Sequence, residues 1–217
     1  KPMPSTGTGC SGAPGGGRVL YLGPAVLSGS ETFIGREALA LERLGVAIDL
    51  WSVHGPEGPL FSEETRALAG RCRVLYPLHP IAVGGALCRC LAARPGRTLA
   101  TLLRALRDAF GASGLRGLRP RLAAGFHALA GLRLADRARG AVHVHAHFAH
   151  LPATIGMYAA HWLGVPFSFT AHANDLFVEA TLLGRKLARA RFAACISEHN
   201  RTFLRGLLPE GDRKSVV

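Results

Sequence analysis

The stretch HAHFAHLPATIGMYAAHWLGVPFSFTAHANDLF, residues 145–177, decides how the rest of the chain is interpreted. Its apolar runs predict a strand over 141–148, a helix over 151–163 and a second strand over 165–171, with Gly164 ending the helix. Polar residues close both strands: His145, His147 and His150 on the first, and His172, Asn174 and Asp175 on the second. Because open α/β sheets hold their ligands at the carboxyl ends of the strands, we expect a ligand site where these residues meet.

The remainder of the chain repeats this alternation of strands and helices. Further short apolar strands are predicted at 18–23, 46–53, 73–76 and 192–196. Strands that alternate with helices are typical of a parallel, doubly wound sheet. The predicted fold class is therefore α/β: a Rossmann-like parallel sheet with helices on both faces, which we expect to span 18–208.

Three helices are predicted around this sheet from their terminal signals. Ser28 and Glu31 have the spacing of a capping box, which predicts a helix that starts near 28–30 and ends at Gly45. Its expected buried face consists of Phe33, Ile34, Leu41 and Leu44. A single helix is expected over 175–190, and Ser197 is the expected N-cap of another.

Arginine is concentrated in the segment 81–139, which is expected to be a helical, basic insertion. Helices are predicted near 82–93, 98–110 and 121–138, with Leu/Phe faces and Arg faces. The whole chain contains 26 Lys and Arg and 14 Asp and Glu, which gives a formal net charge of +12. This charge favours an anionic partner such as a membrane surface, and the alternative is that the arginines only solvate the helices. No pattern typical of nucleic-acid binding accompanies it, so we expect no nucleic-acid partner.

His143, His145 and His147 share one face of their predicted strand and raise the question of a metal site. Same-face neighbours lie about 6.5–7 Å apart along a strand, so three in a row should diverge from a single ion. We therefore expect no metal. The five cysteines are odd in number and lack framework spacing, which predicts a reduced, cytoplasmic chain. The Gly/Pro/Ser-rich residues 1–17 are expected to be a flexible leader.

His172 is the strongest candidate for a functional side chain, because it follows the buried run VPFSFTA and leads into a loop. As a half-buried imidazole it could donate a hydrogen bond to a sugar hydroxyl or a phosphate, and we expect it to titrate near neutral pH. Asp175 could orient His172, hold a substrate hydroxyl or only cap the next helix. The turn 28–30 could bind a phosphate or hydroxyl at a helix N-terminus, or could be an ordinary tight turn.

Several blocks, in this order and spacing, resemble the N-terminal half of the family 4 (group 1) glycosyltransferases of the bacterial exopolysaccharide or colanic-acid type. They are SETFI near the first strand, HAHFA, SFTAHA-x-D and ISE-x-N. The resemblance implies one half of a GT-B fold and a retaining, hexosyltransferase-like transfer from a nucleotide-diphosphate sugar, with no cofactor or metal. The acceptor would be a polysaccharide or a lipid-linked glycan.

The resemblance also implies which residues face the substrates. His172 would be the catalytic histidine of the SFTAHA block. The substrate-binding residues would be Ser28, Gly29, Ser30, Glu31, His147, Asp175, Ser197 and Asn200.

In the resembling family, an E-x7-E donor motif lies in a C-terminal domain, and residues 1–217 contain no counterpart of it. The expectation is an acceptor-side half that is inactive alone, with 209–217 as a truncated interdomain linker. We expect it in the cytoplasm or peripheral on the inner face of the membrane. The alternative is a non-catalytic basic α/β module that binds an anionic membrane or a partner protein.

Overall fold

The sheet of this protein has six strands, and all of them run parallel. They occur in a computed structural model that describes residues 17–26, 28, 31–56, 63–111, 117–177 and 181–217. The strands are β1 (Arg18–Gly23), β2 (Ile48–Ser52), β3 (Arg73–Val74), β4 (Ala141–His147), β5 (Phe167–Ala171) and β6 (Phe192–Cys195). All six were predicted from apolar runs, and the α/β class with a Rossmann-like parallel sheet is confirmed.

Nine helices flank the sheet in the described part of the chain. They are α1 (Thr32–Arg43), α2 (Glu63–Ala69), α3 (Pro80–Ala93), α4 (Pro95–Gly111), α5 (Leu118–Arg137), α6 (Leu151–Leu163), α7 (Ala173–Phe177), α8 (Leu183–Arg189) and α9 (Glu198–Gly206). A short 3-10 helix follows at Glu210–Ser215, and Val216 then forms a parallel bridge with Ala193.

Alternation along the strands divides the core between the two faces of the sheet. In β1, Leu20 and Leu22 point into the larger core, whereas Tyr21 belongs to a smaller core with Ile34 and Ala38 of α1. Helix α6 lies in the larger core, where ten of its residues are buried between the sheet and the neighbouring helices. Helices therefore cover both faces, as the alternating pattern predicted.

The strand order is β3-β2-β1-β4-β5-β6, so β1 and β4 are neighbours at the centre. The chain proceeds outward from β1 to β2 on one side and from β4 to β5 on the other. This reversal leaves a crevice outside the carboxyl ends of the two central strands, which is the usual ligand site of open α/β sheets. The polar residues that follow β4 and β5 lie at this edge.

The predicted start of α1 is wrong. The helix begins at Thr32, and Glu31 is its N-cap without a side-chain capping bond. The Glu31 carboxylate instead accepts a hydrogen bond from the backbone N–H of Ala25 at 2.9 Å, which draws it away from the helix end. Leu44 also fails as a core residue, since it follows the last turn and is 80% exposed. Gly45 does end the helix, with a left-handed φ of 86°.

The single helix expected over 175–190 is also wrong, because the structure has two short helices, α7 and α8. Leu182 precedes α8 in a left-handed conformation, with φ of 56°, which no continuous α-helix accommodates. Because the two helices are separate, the direction of α8 is independent of that of α7, and Lys186 of α8 contacts the loop after β4.

The three helices α3, α4 and α5 confirm the helical segment predicted between the third and fourth strands. Helix α4 does not bury its most apolar face against the core, as an amphipathic helix usually does. Its buried face carries Thr98, Thr101, Ala105, Asp108 and Ala109. Three of its four leucines, Leu99, Leu103 and Leu106, are more than half exposed, whereas Leu102 packs against the larger core. In the described part of the chain, no helix combines the length and the apolar character that crossing a membrane requires.

Candidate functional site

A stack of three rings lies at the carboxyl edge of the sheet, where β4 and β5 end. The Phe148 ring lies between two imidazoles, with its centroid 4.1 Å from that of His172 and 5.3 Å from that of His150. Phe148 has a φ of 69°, a left-handed conformation that is strained for a side chain of this size. Such strain is typical of functional sites, and here it places an aromatic ring against the histidine that the sequence singled out.

The Nε2 atom of His172 is buried and has no hydrogen-bond partner among the described residues. Buried polar atoms are almost always paired, so an unpaired one suggests a missing ligand or water. Burial, together with the nearby His147, lowers the pKa of His172 to about 4. The expectation that His172 titrates near neutral pH is therefore wrong. At neutral pH it is an uncharged imidazole that can give or accept one directional hydrogen bond through Nε2.

His147 lies beside His172, with ring centroids 6.1 Å apart, and its side chain is 1% exposed. Its Nε2 atom is 2.6 Å from the Tyr21 hydroxyl and 3.6 Å from a carboxylate oxygen of Glu37. The interaction with the His147 imidazole is the largest of several effects that lower the pKa of Glu37 to about 2. Glu37 thus adds a negative charge to the site. Glu37 follows Phe33 by four residues on α1, so both lie on one face of the helix, and in the structure Phe33 packs on His147.

One carboxylate oxygen of Glu37 and one ring nitrogen each of His145 and His147 lie within 4.8 Å of one another. Spacing along the strand therefore does not by itself keep these ligand atoms apart. The two imidazoles tilt to a centroid distance of 5.3 Å, and a distant helix supplies the carboxylate. A tetrahedral zinc ion with bonds of about 2.0–2.2 Å could use these atoms, but a ring nitrogen of His145 would first have to leave a hydroxyl of Ser168 or Thr170, and Nε2 of His147 is bonded to Tyr21. As described, the cluster is a hydrogen-bonded network rather than a preformed ion site.

The network continues across the sheet through side chains of β4 and β5. The hydroxyl of Ser168 lies between two imidazoles, 2.7 Å from Nε2 of His143 and 2.8 Å from Nδ1 of His145. The other nitrogen of His145 is 3.1 Å from the Thr170 hydroxyl. Burial lowers the pKa of His145 to about 3, so this imidazole is neutral. These bonds fix the orientation of the imidazole next to His147.

Asp175 is completely buried and bonds to the backbone of both loops that carry the ring stack. Its carboxylate accepts hydrogen bonds from the backbone N–H groups of Ala149 and, at 2.7 Å, of His172. Of the three roles considered for Asp175, the structure thus describes an orienting one. The carboxylate orients the backbone that carries the imidazole, and burial separates it from any substrate hydroxyl.

Lys186 of α8 is the functional neighbour that sequence reasoning missed. It is fully buried, and its Nζ atom donates to three carbonyls, those of Ala149 (2.5 Å), His150 (2.9 Å) and Thr181 (2.6 Å). Burial lowers the pKa of Lys186, which the nearby Asp175 carboxylate opposes. Three acceptors match the three N–H donors of an ammonium group. Lys186 and Asp175 therefore hold the Ala149 peptide from both sides and fix the loops after β4 and β5 relative to each other.

The loop after β1 contributes the next group of predicted residues. Ser28 is buried, and its carbonyl accepts the N–H of Glu31 at 2.9 Å. Gly29 and Ser30 lie outside the described residues. The Glu31 carboxylate closes this loop onto Ala25. The loop follows β1 and so borders the central crevice.

Ser197 and Asn200 lie at the end of β6, at the same edge but one strand beyond His172. Ser197 is the N-cap of α9, as predicted, and its hydroxyl accepts the N–H of Asn200 at 3.2 Å. The Asn200 side chain is 1% exposed, and its Nδ2 atom lacks a partner among the described residues. No described contact joins either residue to His172, so they are at most a separate part of the crevice.

Comparison of the chain with known protein families and with curated proteins finds no match. The function therefore has to be argued from the geometry of the site and from the sequence blocks that surround it.

Proposed function

We propose that this chain is the acceptor-side half of a retaining GT-B glycosyltransferase. It would help to move a sugar from a nucleotide-diphosphate sugar to a polysaccharide or lipid-linked acceptor, in the cytoplasm or at the inner face of the membrane. The observation that carries the proposal is the unpaired Nε2 of His172 at the central crevice of the sheet. In the family that the sequence resembles, the histidine of this block faces the reacting sugar and the diphosphate.

The chemistry of such a transfer suits a neutral, rigidly held imidazole. The bond between the anomeric carbon and the diphosphate oxygen breaks, and negative charge develops on the leaving diphosphate. A preorganised hydrogen-bond donor stabilises charge at that position more than a mobile one does. His172 would donate from Nε2 to a sugar hydroxyl or diphosphate oxygen, held in place by the Phe148 ring and by Asp175 on its backbone.

The remaining groups of the site would position the acceptor. Glu37 offers a charged carboxylate about half exposed at the mouth of the site, and it lies next to the Tyr21–His147 bond. A carboxylate in this position can accept hydrogen bonds from acceptor hydroxyls. Positioning of this kind contributes to the rate by holding reactants in a productive geometry.

The test is His172→Ala in a protein that joins this chain to a donor domain carrying the E-x7-E motif. Transfer from a panel of nucleotide-diphosphate sugars would be measured, and the anomeric configuration of the product determined by NMR. We expect a loss in turnover of about 100-fold or more, since one aligned donor to the developing charge is removed. Thermal unfolding should change little, because His172 is only half-buried.

The matched control is His79→Ala, which removes an exposed imidazole that precedes α3 and lies outside the site. This variant should retain wild-type transfer. Wild-type turnover in His172→Ala would rule out the assigned role, and inversion at the anomeric carbon would rule out a retaining enzyme.

A second candidate function is a basic module that docks on an anionic membrane, and the outer face of α4 favours it. Leu99, Leu103, Leu106 and Phe110 follow helical spacing and are 52–60% exposed. We call these four residues the α4 stripe. Arg107 is an exposed residue of the same helix, and Arg121 of α5 lies 5.3 Å from the centre of the Phe110 ring. An apolar stripe flanked by arginines is typical of helices that lie on anionic membranes.

Vesicle pelleting would separate the two functions. We expect the chain to pellet with vesicles that contain anionic lipid and to lose most of this binding in Leu103→Asp/Leu106→Asp. Leu44→Asp is the matched control, because Leu44 is also exposed but lies at the end of α1, away from the stripe. Equal binding to vesicles without anionic lipid would remove this candidate, and it would leave the glycosyltransferase proposal untouched.

A further inference from the structure

A cavity of about 280 Å³ opens at the amino edge of the sheet, opposite the candidate site. Its wall includes Arg104 of α4 and His161 of α6, with Arg189 and Arg191 just before β6. The floor is formed by Phe167 and its neighbours at the start of β5. The site described above lies at the carboxyl ends of the same strands, so the two are separate.

The cavity holds more positive charge than the surrounding carboxylates neutralise. Asp108 is the acid nearest to it, and both of its oxygens are occupied by Arg189, at 2.5 and 2.7 Å. Arg185 lies 3.6 Å from the same carboxylate. Arg104 and Arg191 make no hydrogen bond or ion pair with any described side chain. Two guanidinium groups thus line the cavity without a hydrogen-bonded or ion-paired partner in the described part of the chain, although the Asp108 charge acts on Arg104 from a distance.

The surroundings of Arg104 strengthen this argument. Burial, and next the positive charge of Arg189, lowers the pKa of the Arg104 guanidinium. The apolar floor excludes part of the water that would otherwise screen the charges. An anion that entered the cavity would relieve the repulsion between the arginines. Without one, the crowding of like charges is unfavourable.

Guanidinium groups bind phosphate oxygens in a bidentate geometry, which makes arginine the preferred residue for phosphate recognition. The cavity is large enough for a phosphate or diphosphate group and a small apolar portion that contacts its floor. We propose that it binds the phosphate group of a phosphorylated ligand, either a soluble small molecule or a lipid headgroup. This inference does not rest on the proposed transfer reaction.

Isothermal titration calorimetry with inorganic pyrophosphate tests the site on the 217-residue chain. Arg104→Gln should weaken pyrophosphate binding about 10- to 100-fold, the usual effect of losing a charge-assisted hydrogen bond. Arg191→Gln should also weaken it. Arg107→Gln is the matched control, since Arg107 is an exposed arginine of the same helix that does not line the cavity. It should leave the affinity within about twofold.

Vesicles distinguish the two sources of the phosphate. If Arg104→Gln weakens binding to phosphatidic acid vesicles more than Arg107→Gln does, the ligand is a headgroup. If both variants affect vesicle binding equally while only Arg104→Gln loses pyrophosphate, the ligand is soluble. Absence of pyrophosphate binding by the wild-type chain, or equal losses in Arg104→Gln and Arg107→Gln, would overturn the proposal.

Discussion

The two edges of the sheet differ in whether their charged side chains have hydrogen-bond partners. At the carboxyl edge, Asp175 and Lys186 are completely buried, and backbone groups occupy both of them. Among the described residues, unpaired polar atoms remain there on the side chains of His147, His172 and Asn200, and the His172 imidazole is neutral. At the amino edge the unpaired groups are guanidiniums, which are always charged.

This difference suggests two kinds of binding. A neutral imidazole in a fixed orientation discriminates by the direction of its hydrogen bond, which suits a reacting group. The arginines of the amino-edge cavity attract anions over a distance. Such groups favour the binding of a ligand more than the catalysis of a reaction. Asp175 and Lys186 of the carboxyl edge have a separate role, because both hold backbone groups and neither faces solvent.

The largest expected effect comes from removing Lys186. Lys186→Met leaves the Asp175 charge without its counterion and three buried carbonyls without a donor. Each buried carbonyl left without a donor costs about 1–3 kcal/mol, so we expect a loss of about 3–5 kcal/mol of stability. Urea unfolding followed by circular dichroism would measure the loss. The double variant Lys186→Met/Asp175→Asn should lose less than the sum of the single variants, because no unpaired charge remains.

The amino edge provides the comparison, through Arg189→Gln. Asp108 is as buried as Asp175, but it keeps the hydroxyl of Tyr158 at 3.0 Å and Arg185 at 3.6 Å after the change. We therefore expect a smaller loss, about 1–2 kcal/mol. If Arg189→Gln destabilised the chain as much as Lys186→Met, the distinction between the two edges would fail.

Sequence patterns predicted the fold because strand burial is a local property. Runs such as VPFSFTA are apolar enough to be buried in any arrangement, and their alternation with helices implies parallel pairing. Helix α4 shows the limit of this reasoning. It has a leucine face and a threonine/alanine face, and hydropathy alone would bury the leucines. The close packing against α6, in which Trp162 donates to Thr98 at 2.8 Å, selects the other face.

The site was predictable only where its residues follow a strand directly. His147 and His172 have that position, so topology alone brings them to one edge. Glu37 and Lys186 come from helices whose approach depends on tertiary packing. Lys186 belongs to the basic segment LLGRKLARAR, whose pattern predicts an exposed, solvated lysine. Its one distinguishing sign is its position beside Leu183 and Leu187, which are both buried.

The smallest expected effect is a pH dependence that originates at the ring stack. His172 has a pKa of about 4 in the folded chain and 6.5 in the unfolded chain, so the unfolded state takes up the proton first. The contribution of neutral His172 to the free energy of unfolding is fully present above about pH 6.5. It declines as the pH falls toward 4 and then levels off. Since His172 is only half-buried, we expect a loss of about 1 kcal/mol between pH 7.5 and pH 5.

His172→Gln isolates this contribution, because glutamine keeps a polar side chain that does not titrate. His127 and His161 also have lowered pKa values and contribute to the same pH range, so only the difference between wild type and variant is informative. Urea midpoints at both pH values should show a steeper decline for the wild type. Parallel declines would mean that His172 is hydrated and charged at pH 5. The carboxyl edge would then also hold uncompensated positive charge, and the contrast with the arginine cavity would disappear.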